Sequence, residues 1–236
     1  MKKISFVKMV ASGNDFVVIE RWSHKSWTLK KLASRICDRK FGVGADGLLV
    51  LEKSEIAEIK MRIFNPDGSE AQMCGNGARC VALYIKSKIK KPKIRIETKS
   101  GIIHSQVDKD NVKIKLTEPK DIKLNIPIKI NNRTLKVNFI NTGVPHTVIF
   151  VEGLEKINVV DWGRLIRFHK RFSPAGTNVD FVEVLNNHSI KIRTYERGVE
   201  DETLACGTGA VAGAIISSFN FLTSGYKKIN VQTKSK

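Results

Sequence analysis

Residues 74–78 read Cys74-Gly75-Asn76-Gly77-Ala78, and residues 206–210 read Cys206-Gly207-Thr208-Gly209-Ala210. The two stretches lie 132 residues apart (206 − 74 = 132), a period too long for a solenoid and suited to two copies of one domain. Glu70 and Glu202 each stand four residues before a cysteine. Gly13 with Gly143, Gly44 with Gly176, and Phe64 with Tyr195 keep offsets within two residues of the same spacing. Further on, Lys93-Ile94-Arg95-Ile96 resembles Lys228-Ile229-Asn230-Val231. The first copy then continues for about two more strands, whereas the sequence stops at the corresponding point of the second.

Local patterning fits this duplication. Short β-branched runs bounded by turn residues read as strands at Phe16–Ile19, Leu48–Leu51, Ile94–Ile96, Val112–Leu116, Val148–Val151 and Phe181–Val184. Leu29, Leu32, Ala33 and Ile36 have helical spacing, as do Trp162, Leu165 and Ile166. Each cysteine opens a small-residue helix. The second, Gly209–Ile216, is apolar all round and is expected to be a core helix enclosed by sheet. The expected architecture is α+β: two pseudo-symmetric domains from an internal repeat, each a mostly antiparallel sheet wrapped around a central helix. The boundary is placed at Pro119, giving halves 1–118 and 119–236, with the second copy beginning around Asn141.

At 236 residues, 42 % of them hydrophobic, the chain is long enough for two small cores. Four cysteines are too few for a disulfide scaffold. No CxxC pair or Cys/His cluster has zinc spacing, so a reducing, cytoplasmic setting is expected. Lys8 breaks the apolar stretch a signal peptide would need, and no uncharged run approaches the ~20 residues of a membrane span. The net charge of +18 raises the question of nucleic acid. The densest basic stretch, Lys86–Lys99, alternates Lys and Arg with Ile like a half-buried strand and lacks aromatics that stack on bases. No nucleic-acid or membrane partner is therefore expected. Such a field draws small anionic substrates.

The chemistry points to the two cysteines. A thiol at a helix start meets unpaired backbone N–H groups and the positive end of the helix dipole, which favours thiolate. The N–H groups of Gly75, Asn76, Gly207 and Thr208 suit a carboxylate, and the glycines permit its close approach. Two thiols on opposite faces of one carbon would invert it: one takes the proton and the other returns one. A cysteine taken singly is most often a small buried hydrophobe. Cys37, one position beyond the apolar stripe of its helix, and Cys80, six residues into another, are read that way.

Six ordered motifs carry a resemblance along nearly the whole chain. They are Lys8-Met9 with Ser12-Gly13-Asn14-Asp15-Phe16; Cys37-Asp38-Arg39 with Phe41-Gly42-Val43-Gly44-Ala45-Asp46-Gly47; Asn65–Glu70 leading to Met73–Cys80; Gly143-Val144-Pro145-His146; Gly176–Phe181; and Glu196-Arg197-Gly198 leading to Glu202–Gly209. Together they resemble the diaminopimelate epimerase family, which interconverts LL- and meso-diaminopimelate without pyridoxal phosphate or metal. The resemblance implies that Cys74 and Cys206 are the acid/base pair and that His146 and Glu196 lie near one thiol each. It implies that Gly75, Asn76, Gly207 and Thr208 hold the reacting carboxylate, and that Asn14, Asn65, Asn178 and Arg197 recognise the distal amino-acid end. No cofactor is implied. Many family members carry Asn where this chain has Val144 and Gln where it has Gly47, which leaves a racemase of different or broader specificity as the alternative. Relatives also continue past this C-terminus, so the second sheet is expected to be short, with an open edge covered by a partner subunit in a homodimer.

Overall fold

The apolar run Leu48-Leu49-Val50-Leu51 has no polar face, as expected of a strand covered on both sides. The computed structural model describes residues 3–20, 28–220 and 228–235. In it Leu49 and Leu51 point into one core and Leu48 and Val50 into another, all at most 1 % exposed. The chain divides into two compact units, Met1–Thr117 and Glu118–Lys236.

The first unit runs β1 (Val7–Ala11), β2 (Asn14–Glu20), α1 (Leu29–Ile36), β3 (Gly47–Glu52), β4 (Ile59–Phe64), β5 (Glu70–Ala71), α2 (Gly75–Ile89), β6 (Lys93–Thr98), β7 (Gly101–Asp108) and β8 (Asn111–Lys115). Its sheet has the order β1-β2-β3-β4-β6-β7-β8, with β5 added to β4. Only the β2/β3 and β4/β6 pairs are parallel. Helix α1 covers one face through Leu32 and Ala33, its first turn capped by Thr28. Helix α2 fills the other, its Ala78, Val81, Ala82 and Ile85 meeting Ile94 and Ile96 of β6 and Ile103 and Val107 of β7.

The second unit runs β9 (Lys120–Ile130), β10 (Arg133–Asn141), β11 (Pro145–Phe150), α3 (Val159–Arg167), β12 (Asn178–Asn186), β13 (Ser189–Glu196), β14 (Asp201–Thr203), α4 (Gly207–Asn220) and β15 (Asn230–Gln232). From β10 onward it repeats the first unit pairing by pairing. Strand β10 is antiparallel to β11, β11 parallel to β12, β12 antiparallel to β13, and β13 takes β14 antiparallel and β15 parallel. This second copy opens with β10, which ends at Asn141 rather than starting there. The hydrophobic pattern hides the correspondence, because β10 buries Val137 and Ile140 whereas β1 is largely exposed.

Two expectations need correction. The stretch Lys86–Lys99 is a strand only from Lys93; residues 86–89 close α2, which ends on the left-handed Lys90 before Pro92. Among the described residues helix α4 is only partly enclosed. It buries Ala212, Gly213, Ile216 and Ser217, whereas Val211, Ala214 and Ile215 are half-covered and Phe219 is 58 % exposed. Strands β7 and β8 extend the first sheet over α2, and among the described residues the second sheet has no counterpart to them. Its additional strand, β9, joins the opposite edge beside β10. No helix of the described residues is long and apolar enough to cross a membrane.

Candidate active site

Each unit carries one cysteine at the start of its central helix, and the local geometry is the same in both. Cys74 is the extended N-cap of α2, its Sγ accepting from Gly77 N at 3.4 Å. Cys206 Sγ accepts from Gly209 N, also at 3.4 Å. A Cβ at Gly77 would press on Leu49 at 3.1 Å, and one at Gly209 would meet Asp180 Oδ1 at 2.5 Å and Cys206 Cβ at 3.2 Å, so both helix starts are packed too closely for a side chain there. The first-turn amides that a carboxylate would use belong to Gly75 and Asn76 in one unit and to Gly207 and Thr208 in the other.

In the first unit the Asn76 side chain, 3 % exposed, ties the helix start to the β1–β2 turn. Its Nδ2 donates to Asn14 Oδ1 at 2.6 Å, and its Oδ1 accepts from Arg79, which also donates to Ser12 Oγ at 2.8 Å. Asn14 in turn donates to Asp46 at 3.4 Å. The structure thus joins Asn14 to Asn76. It leaves Asn65 in its own turn, where Nδ2 donates to Ser69 Oγ at 3.0 Å. Behind this site Asp15 binds Lys8 and Arg39 at 2.8 Å each. Burial would raise the Asp15 carboxyl, but the hydrogen bonds from Arg39 and Lys8 prevail and hold it well below the usual carboxylate range.

The second unit gathers more of the expected groups. Cys206 Sγ lies 3.3 Å from Thr208 Oγ1, which lies 2.9 Å from His146 Nε2. His146 Nδ1 is 2.7 Å from Asp180 Oδ2, and Asp180 Oδ1 accepts from Thr194 at 2.7 Å. Glu196 accepts from Thr203 at 2.6 Å, and its charge acts on the Cys206 thiol. His146, on β11, and Glu196, on β13, both lie in the second unit. Asn178 Oδ1 accepts the Arg197 backbone N–H at 2.8 Å, and the Arg197 guanidinium donates to Ala175 O at 3.0 Å. Burial, then Arg167, lowers the affinity of that guanidinium for its proton. Among the described residues no carboxylate forms an ion pair with it.

The helix start does not make Cys206 a ready thiolate. Burial, then the charges of Glu196 and Asp180, pushes this thiol well above its ordinary value, outweighing the hydrogen bonds from Thr208 and Gly209. Glu196 is raised as well, chiefly by burial. Cys37 and Cys80 are buried in cores, their thiols pushed up by desolvation to about 11 and about 12. Sequence reasoning missed Asp180, Thr194 and the side chains of Thr208 and Arg79. The signal for Asp180 was its place in Asn178-Val179-Asp180-Phe181, where alternation turns it away from Val179 and Phe181 onto the face of His146. Among the described residues no group of three or more His, Cys, Asp or Glu is placed to hold a metal ion.

The family model for diaminopimelate epimerase matches residues 6–122 and 138–235. The chain belongs to the diaminopimelate epimerase family. It is 44 % identical to diaminopimelate epimerase of Aquifex aeolicus, over 98 % of this chain and 87 % of that protein. It is 43 % identical to diaminopimelate epimerase of Caldanaerobacter subterraneus, over 98 % and 89 %. Among solved structures it resembles a probable proline racemase from Agrobacterium radiobacter, with TM-score 0.72, 15 % identity and coverage of 99 % of this chain and 83 % of that one. That likeness shows a fold shared by these two chains, and the expected α+β architecture of sheets around central helices is the one observed.

Proposed function

We propose that this chain interconverts LL- and meso-diaminopimelate, in lysine and peptidoglycan biosynthesis, with Cys74 and Cys206 as its acid/base pair and no cofactor. The observation that carries this reading is the duplicated thiol cap, in which each sulfur accepts from a glycine N–H at 3.4 Å at the mouth of a central helix. One thiolate removes the α-proton. The amides of Gly75, Asn76, Gly207 and Thr208 stabilise charge that spreads into the carboxylate, and the other thiol delivers its proton to the opposite face. His146 and Glu196 help ionise the thiols, and the charge of Glu196 acting on Cys206 supports that role. Asn14, Asn65, Asn178 and Arg197 recognise the distal end, for which the half-buried, carboxylate-free Arg197 is the strongest support. Both sulfurs must stay reduced, which suits the cytoplasm. The half-covered apolar side of α4 supports a homodimer.

Val144, 8 % exposed, and Gly47 stand where many relatives carry polar side chains, and favour as a second reading a racemase of broader specificity. Single amino acids assayed beside LL-diaminopimelate decide between the two.

The mechanism is tested in D2O. A thiol holds one proton, so product formed first carries solvent deuterium at the inverted carbon while remaining substrate stays largely unlabelled. Cys74→Ala and Cys206→Ala each stop turnover in both directions. Early product retaining mostly substrate hydrogen, or near-normal turnover in Cys206→Ala, rejects the two-thiol mechanism.

A further inference from the structure

We propose that Glu200, held by Arg167, is a positioning residue that sets the Arg197 guanidinium for the second carboxylate of the substrate and so selects for a dicarboxylate. The proposal rests on the reading of Arg197 as the group that recognises the distal end.

Residues 197–200 turn the chain from β13 into β14, and the Glu200 backbone N–H closes the turn on Glu196 O at 2.8 Å. Glu200 sits there with φ +58°, in the left-handed region that glycine adopts freely and that strains a residue with a side chain. Its carboxylate explains the choice. Oε1 accepts from the Gly198 backbone N–H at 3.0 Å and from Arg167 Nε at 3.1 Å, and Oε2 accepts from the Tyr195 hydroxyl at 3.2 Å. Tyr195 is buried in the core and Arg167 ends α3, so the glutamate fastens the peptide that follows Arg197 to two fixed points.

Arg167 braces the other side. Its guanidinium carbon lies 4.5 Å from the centre of the Phe168 ring, and a Cβ at Gly176 would overlap the guanidinium. The neighbour of that glycine, Ala175, supplies the carbonyl that accepts from the Arg197 guanidinium at 3.0 Å, and Asn178 Oδ1 accepts the Arg197 backbone N–H at 2.8 Å. One carbonyl engages part of a five-donor fork and leaves the rest for a planar anion. Charge completes the device. The positive charge of Arg167 disfavours a second cation at Arg197, and the negative charge of Glu200 favours it. With Glu200 offsetting Arg167, one uncompensated positive charge remains at Arg197, the complement of one carboxylate. A substrate without that group leaves the half-buried charge unpaired and is selected against.

Glu200→Gly removes the carboxylate and relieves the left-handed backbone, so the variant should fold with a Tm close to the parent's. Its KM for LL-diaminopimelate should rise about tenfold, the scale of one lost charge-assisted hydrogen bond, with kcat changed far less. Independently of turnover, calorimetry in a Cys74→Ala background should show the Kd for meso-diaminopimelate weakened by the same factor. Arg197→Ala should also raise KM and Kd. Because Glu200 acts through Arg197, the losses in the double variant should fall well short of additive. Unchanged KM and Kd in Glu200→Gly, or fully additive losses, overturn the positioning role and leave Arg197 as the distal group. Arg197→Ala with the parent's KM and Kd overturns the underlying reading instead. If Glu200→Gly does not fold, Glu200→Gln decides by the same cycle, since it keeps the shape but leaves the Arg167 charge uncompensated. A raised Kd that Arg197→Ala masks supports the proposal, and an unchanged Kd overturns it.

Discussion

Arg193 holds Glu202 through two parallel hydrogen bonds, Nε to Oε1 at 2.7 Å and Nη2 to Oε2 at 2.8 Å. Arg62 holds Glu70 the same way, at 2.8 and 3.2 Å. A lysine completes each clamp, Lys234 on Glu202 at 3.2 Å and Lys99 on Glu70 at 2.6 Å. The two glutamates that stand four residues before the cysteines thus fix the approach to each helix start.

The clamps make stability depend on acid. Hydrogen bonds from Arg62 and Arg193 hold the two carboxyls below the ordinary glutamate value of 4.5, in spite of burial. A lowered folded-state value means that the contribution is complete above about pH 4.5 and is lost as pH falls through the lower folded value. Glu202→Gln should therefore cost about 2 kcal/mol near neutrality and flatten the acid side of the stability profile. Denaturant titrations between pH 2 and 7 measure this; equal acid slopes in variant and parent count against the clamp.

A second prediction concerns Gly209. A Cβ there would come within 2.5 Å of Asp180 Oδ1. Gly209→Ala should push Asp180 off the His146 ring and lower kcat more than it lowers thermal stability. A variant that loses stability but keeps its kcat would show that the glycine serves packing alone.

The distal pocket gives a third. Arg197→Lys keeps the charge and loses the planar fork, so kcat/KM on diaminopimelate should fall by roughly 1–3 kcal/mol of transition-state binding. An unchanged kcat/KM would place the distal carboxylate elsewhere.

Exposure and protonation separate the two thiols. Cys74 is half-buried, whereas Cys206 is 9 % exposed and burial pushes its thiol well above the ordinary 9.0. Limiting iodoacetamide near pH 8 should therefore modify Cys74 first, with Cys206 reacting appreciably only as pH rises further. Peptide mapping that finds Cys206 labelled first contradicts the burial argument.

What the sequence made legible was whatever periodicity or duplication encodes. The run Leu48–Leu51 reads as a doubly covered strand, Leu29 to Ile36 as a one-sided helix, and the paired cysteine motifs as two equivalent helix starts. Strand β9 was not legible, because the first six of its residues are exposed and lysine-rich and its pairing is set by β10. The partner of His146 was hidden too. Asp180 reaches it only because β11 and β12 run parallel in one register, a relation no local pattern carries. Likewise the protonation of Cys206 was misjudged from its helix start alone, since the opposing term, burial among carboxylates, comes from β12 and β13.

The arrangement of the cores bears on how the chain unfolds. Each of the hydrophobic clusters draws its residues from one side of the boundary at Thr117 and Glu118, two clusters per unit. Cooperativity follows shared apolar contacts, and among the described residues each half has cores of its own. Heating should produce two calorimetric transitions instead of one. The lower belongs to the second half, whose central helix lies half-covered and whose last described strand spans only Asn230–Gln232. A population in which Cys74 still caps a folded helix while the framework around Cys206 has come apart is thus a built-in property of the duplicated design.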